Sequence, residues 1–303
     1  MSMKKQRRWP RILQGLAGYL LTLLLVASLA GACVLTLAEA LLTDRTLHER
    51  VATDDRVIDL QMARLDGEIR LLAEEHPFTL ETVEALITRD SLRDYNRESV
   101  AWWMGLLGEQ PEPEAPFPDT AALAEAVLAD ELFRENTMEF MRRIVAQDKI
   151  AYPIGQTLQE TAVPVRVSVI ALAMPEVAKR VSIPALMTLL GLVKTGLSAA
   201  SAALLALLLA TQGRNRFVFA SAGVLAADAL LLAMTAAVWL AHPAEVLESL
   251  SAVLALQWRI LQEALLPAVL TVEGALLLAG LLLLAVALAT GRRASVRAER
   301  ASA

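Results

Sequence analysis

Four stretches of this chain are apolar almost without interruption, and the segments between them alternate apolar and charged residues at helical spacing. The apolar stretches cover 12–42, 186–210, 217–240 and 265–290, and each reaches the length of about 20 residues needed to cross the hydrocarbon of a bilayer. A short turn, 211–216, joins the second and third. A segment too charged to span, 241–264, joins the third and fourth. Its Val246, Leu250, Val253, Leu254, Gln257, Leu261 and Leu265 follow three- and four-residue spacing, which predicts an amphipathic helix.

The large segment 43–185 carries the remaining periodicity. Leu47, Val51, Ile58, Met62, Leu65, Ile69 and Leu72 predict one amphipathic helix from Thr43 to His76, with Pro77 ending it. Thr79 is placed to cap a short helix, and Ser91 to cap another that runs through Trp102, Trp103 and Met104. Two glycines and four prolines break the pattern between Gly105 and Pro118, which predicts an exposed loop. A longer helix is expected from Asp119 to about Ile150, with Leu123, Val127, Phe133, Phe140, Met141 and Ile144 as its apolar stripe. Prolines 153, 164, 175 and 184 then divide the chain into short pieces, with alternation over 163–169 suiting a short strand. The expected fold class is an all-α integral membrane protein with four transmembrane helices and a large helical extracytoplasmic domain between the first two.

Charge orients this layout. Residues 43–185 hold 26 Asp and Glu against 15 Lys and Arg. The ends are basic: Lys4, Lys5, Arg7, Arg8 and Arg11 in the segment 1–11, and Arg292, Arg293, Arg297 and Arg300 in 291–303. Arg214 and Arg216 mark the short turn. By the positive-inside rule both termini and the turn 211–216 are expected in the cytoplasm, and the acidic domain and 241–264 outside it, in the cell membrane. The chain is 56% hydrophobic with a mean hydropathy of +0.49, which suits a membrane protein better than one soluble core. An acidic exposed surface excludes nucleic acid as a partner, because it repels phosphate. Abundant Ala, Leu and Arg suit a bacterium with a GC-rich genome.

Candidate chemistry is sparse. The lone cysteine, Cys33, follows Ala30-Gly31-Ala32, a loose version of a lipoprotein processing box. Leu is missing three positions before it and the apolar run continues to Leu37, so an uncleaved signal anchor is favoured over lipidation at Cys33. No metal site or cofactor is expected from one cysteine, three histidines and no phosphate-binding or nucleophile motif. Adjacent acids such as Asp54-Asp55 and Asp130-Glu131 point apart on a helix and are expected to be solvated. His76 is expected to end a helix. Trp102, Trp103 and Met104 would form core or a contact surface for a partner or lipid.

The residues out of place are Lys194, Asp228 and Glu273, one in each of the last three apolar stretches. A charge in hydrocarbon costs about 2.5–3.5 kcal/mol on insertion scales, so it is expected to face a partner or a cavity. Lys194 and Glu273 lie at matching depth, with Asp228 one or two turns deeper, so an interhelical Lys194–Glu273 pair is geometrically allowed. Packing, docking or an ion path are the roles open to this cluster. The expected function is a non-enzymatic bacterial envelope protein whose outer domain binds a partner or ligand in an assembly, sensing or scaffold role, with membrane lipid and a protein partner or second copy as its contacts. A transporter or channel subunit and a membrane-embedded enzyme are the alternatives.

Overall fold

The computed structural model describes residues 9–105, 116, 118–162, 183–241, 243–248 and 251–302, and their side chains except at 9–13, 104, 183–184, 186, 214, 243–244, 246 and 291–302. All secondary structure among them is helical, with no strand. The expected strand over 163–169 and most of the expected loop from Gly105 to Pro118 lie outside the described residues. The helices are α1 (Trp9–Thr43), α2 (Arg45–Ala52), α3 (Asp55–Glu75), α4 (Leu80–Glu84), α5 (Arg89–Gly105), α6 (Thr120–Ala129), α7 (Glu131–Asn136), α8 (Tyr152–Thr161), α9 (Ile183–Thr211), α10 (Arg216–Leu240), α11 (Pro243–Glu248) and α12 (Ala252–Ser302). Four of them contain segments long and apolar enough to cross a membrane: Gln14–Thr43, Met187–Thr211, Arg216–Leu240 and Ala252–Thr290. The chain divides into two compact units: one of residues 1–40, 187–241 and 265–303, the other of 41–186 and 242–264.

The first unit is a bundle of these four segments. α1 and α9 run antiparallel, because their paired positions ascend on one helix as they descend on the other. Gln14 Nε2 donates to the Thr211 carbonyl at 2.9 Å. The Ser201 hydroxyl donates to the Ser28 hydroxyl at 3.0 Å, both buried. A Cβ on Gly31 would lie 3.1 Å from Leu197. Small residues and hydroxyls at these positions let the backbones approach and supply interhelical hydrogen bonds where water is absent. α1 also runs beside α10. The Tyr19 and Phe219 rings meet edge to face with centroids 5.4 Å apart, and a Cβ on Gly223 would come within 2.9 Å of Leu25. α10 meets α12 where a Cβ on Gly280 would lie 2.6 Å from Leu225. Leu23, Leu24, Leu232, Leu240, Leu270 and Leu282 stand exposed around the bundle, the outward apolar surface that lipid covers in a membrane protein.

The second unit has its own core. Ile58, Leu65, Leu92, Val127, Phe133, Ile150 and Ile154 belong to one buried cluster, each side chain worth about 1.5–3 kcal/mol of transfer free energy. Caps set the helix boundaries. The helix expected to run unbroken from Thr43 to His76 is cut twice: Asp44 accepts from the Leu47 amide at 3.0 Å, and Asp54 from the Arg56 amide at 2.9 Å, so α2 and α3 are separate. His76 is the C-cap of α3, ahead of Pro77. Thr88 rather than Ser91 begins α5. The Ser91 amide donates to Thr88 Oγ1 and the Thr88 amide to Ser91 Oγ, a reciprocal capping box. Asp119 caps α6 through the Ala122 amide.

The helix expected from Asp119 to Ile150 ends at Ala129. Asp130, expected on a solvated face, is buried. It caps α7 through the Phe133 amide and also accepts from the Thr79 amide and the Thr82 hydroxyl. One carboxylate thereby ties α7 to the start of α4. The chain then makes a 3-10 turn at Glu139–Met141, a single α-turn and a π-helix at Val145–Ala151 before α8. Pro153 accounts for the π-helix: it lacks the amide that would bond Lys149, and the Tyr152 amide reaches back five residues to the Gln147 carbonyl. Because of this break, Phe140, Met141 and Ile144 leave the stripe and are exposed. α3, α5 and α8 are joined by a buried polar network. Asn96 Nδ2 donates to the Gln61 side-chain carbonyl and to the Ala52 carbonyl, each at 2.8 Å, and Gln61 Nε2 donates to the Thr161 carbonyl at 2.8 Å. In 242–264, Val253, Gln257, Ile260 and Leu261 are buried, and Glu263 bonds Arg56 at 3.1 Å. α12 carries on through Pro267.

Candidate functional site

Lys194 is satisfied within the bundle, though not by Glu273. Its Nζ forms an ion pair with Glu39 on α1. Lys194, Leu197 and Ser201 stand at i, i+3 and i+7, one face of α9, and that face meets α1 through Gly31 and Ser28. The helix register therefore delivers Lys194 to the end of α1, four residues before its terminus at Thr43. The apolar run 12–42 reads as continuous around Glu39, which hides this acid in the sequence. The signal that finds it is a single acid in the last turn of a span, at the depth of a lysine in the next.

Asp228 and Glu273 are placed differently. Each has one carboxylate oxygen buried and without a hydrogen-bond partner. Their helices touch at Leu225 and Gly280. Asp228 lies three residues on from Leu225, within about 60° of that contact line, and Glu273 lies seven residues before Gly280, within about 20° of it. Both carboxylates therefore lie near the line along which α10 and α12 touch. A buried polar atom of this kind calls for a partner or a cavity. Cys33 lies mid-helix in α1, half-buried, with a free thiol. It lines a cavity of about 350 Å³ between α1, α9 and α10 with Thr36, Ser198 and Ser201.

In the second unit, Trp102 and Trp103 are half-buried and pack edge to face, centroids 4.6 Å apart; the Met104 side chain lies outside the described residues. The more exposed apolar surface is elsewhere. Met138 is 71% and Phe140 76% exposed, with Met141 and Ile144 beside them. Arg142 holds this tip in shape by donating to the Thr137 and Arg134 carbonyls. A cavity of about 510 Å³ opens between α5 and α6. Ile87, Leu92, Leu123 and Leu158 form its buried floor, and Asp94, Glu98 and Asp119 stand exposed at its mouth. Tyr95 lines one wall and donates to the Pro116 carbonyl at 3.3 Å. Burial pushes its phenol up from the ordinary value, against the hydrogen bond with Ser99.

Two acids of this unit are shifted. The Arg56 guanidinium beside Asp54 holds that carboxyl below its usual value. Burial raises Asp130, but the bonds from Phe133, Thr79 and Thr82 together outweigh it and leave the carboxyl low. Among the described residues no three His, Cys, Asp or Glu side chains gather as metal ligands. No family model matches the chain, and no curated protein or solved structure is significantly similar to it.

Proposed function

We propose that this is a non-enzymatic protein of the bacterial cell envelope, in which four spans anchor a helical domain that binds a partner outside the cytoplasmic membrane. The observation that carries the reading is the tip at Met138 and Phe140. A unit with a closed core of its own leaves Met138 and Phe140, two positions apart in the chain, as its most exposed large apolar side chains among the described residues, where burial against a partner would recover about 25 cal/mol per Å². The acidic balance of residues 43–185 and the basic ends favour an outside location for this domain under the positive-inside rule. The test is a photo-crosslinking amino acid at position 140 in cells expressing the chain at natural level. The expected result is one stoichiometric protein crosslink that disappears in a Met138→Asp variant. Crosslinks to lipid alone, or none, would refute it.

A second reading is a transport or channel subunit, favoured by the orphaned carboxylate oxygens of Asp228 and Glu273 on one seam. It predicts cation or proton flux in proteoliposomes that Asp228→Asn abolishes, and a wild type without flux removes it.

A further inference from the structure

The cavity between α5 and α6 combines an apolar floor with a rim of a single charge sign. Four buried aliphatic side chains, Ile87, Leu92, Leu123 and Leu158, form its base, and among the described residues no Lys or Arg lines it. Asp94 and Glu98 are one helical turn apart on α5, so both project to the same side. Asp119 faces them from the start of α6. Two of the three carboxylates are partly engaged: Asp94 accepts from Arg97 at 2.7 Å, and one Asp119 oxygen caps α6. Among the described residues Glu98 has no ion-pair partner. The volume of about 510 Å³ falls in the range of binding clefts, about 300–1,000 Å³, and Asp94, Glu98 and Asp119 around it are exposed.

We propose that this cavity receives a basic segment of a partner protein. An apolar side chain enters over Leu92 and Leu123, and a neighbouring lysine or arginine sits on Glu98 and the free oxygen of Asp119. Charge complementarity selects this occupant: an apolar ligand without a cation leaves the rim carboxylates to be desolvated unpaired, and an acidic one is repelled by all three. The inference rests on the reading of the domain as a binding module, at a surface separate from the Met138 and Phe140 tip.

The test uses the full chain in nanodiscs of zwitterionic phosphatidylcholine, with a fluorescent Lys-Leu-Leu-Lys amide as probe and its Lys-Ser-Ser-Lys and Glu-Leu-Leu-Glu counterparts as controls. Anisotropy should report saturable binding of the first and at least about tenfold weaker binding of both controls. Glu98→Lys reverses the rim at an exposed position, and Ala122→Trp fills the mouth. Each should weaken the probe by about tenfold with an unchanged melting curve. Equal binding of all three peptides, or probe binding that survives both variants, overturns the proposal. Saturation by hexylammonium with no binding of the peptide also overturns it, by making the site one for small amphiphiles. The crosslink at position 140 reports the domain's partner independently, so its persistence while peptide binding fails removes this inference and leaves the broader reading intact.

Discussion

Asn96 is the residue whose loss most directly tests how the helical domain is held. Its Nδ2 satisfies the Ala52 carbonyl and the Gln61 side-chain carbonyl, both buried, at 2.8 Å. Asn96→Ala orphans both acceptors, at about 1–3 kcal/mol each, so the expected cost is about 2–5 kcal/mol. Against a total stability of about 5–15 kcal/mol for a domain, that is a large fraction. Gln61→Leu orphans the Thr161 carbonyl and takes an acceptor from Asn96. The double variant leaves only the two backbone carbonyls unpaired. It should therefore cost less than the sum of the single variants, by a coupling of about 1–3 kcal/mol. Hydrogen exchange of the full chain in nanodiscs reads this as protection of α3 and α5 amides. A loss of about 2–5 kcal/mol corresponds to about thirty- to several-thousandfold faster exchange. Exchange within about threefold of wild type in Asn96→Ala, or strict additivity in the double variant, would refute the network as a structural element.

Three further expectations follow from the same geometry. Lys194→Met removes the cation that α9 brings to Glu39, and since both side chains keep about a third of their surface exposed the cost should be about 1–3 kcal/mol rather than the larger figure for a fully buried pair; unfolding in mixed micelles should show the loss, with recovery when Glu39→Leu and Lys194→Leu are combined. The depressed carboxyl of Asp130 stabilises the domain above about pH 5, and this contribution falls away as pH drops through and below the ordinary value of 3.8. Asp130→Asn should therefore flatten the acid limb of a pH–stability curve, and an unchanged limb would reject the assignment. Gly280→Ile puts a Cβ against Leu225 and should part α10 from α12, read as faster hydrogen exchange of α10 amides around Leu225; unchanged exchange would reject the contact.

The sequence alone determined the helical class and the four apolar segments, because the length and hydropathy of a span are local properties that no tertiary contact needs to supply. It also located the helix end at His76 and the start of α6 at Asp119, since a cap is read from residues within one turn. It did not reveal which charges meet. Lys194 and Glu273 share a depth, but depth is one coordinate; helix rotation turned Lys194 toward α1, where Glu39 stood in the last turn of a span that looked uniformly apolar. Nor could periodicity follow the stripe beyond Ala129. Asp130 fits a solvated helix face as well as a buried cap, and only its contacts with Thr79 and Thr82, far away in sequence, decide between them. The same break carries Phe140 out of the core, and the packing of α5 against α6 gathers Glu98 and Asp119 around one cavity. These are consequences of chain reversals, and the physics that sets a reversal is the satisfaction of buried polar groups by distant partners.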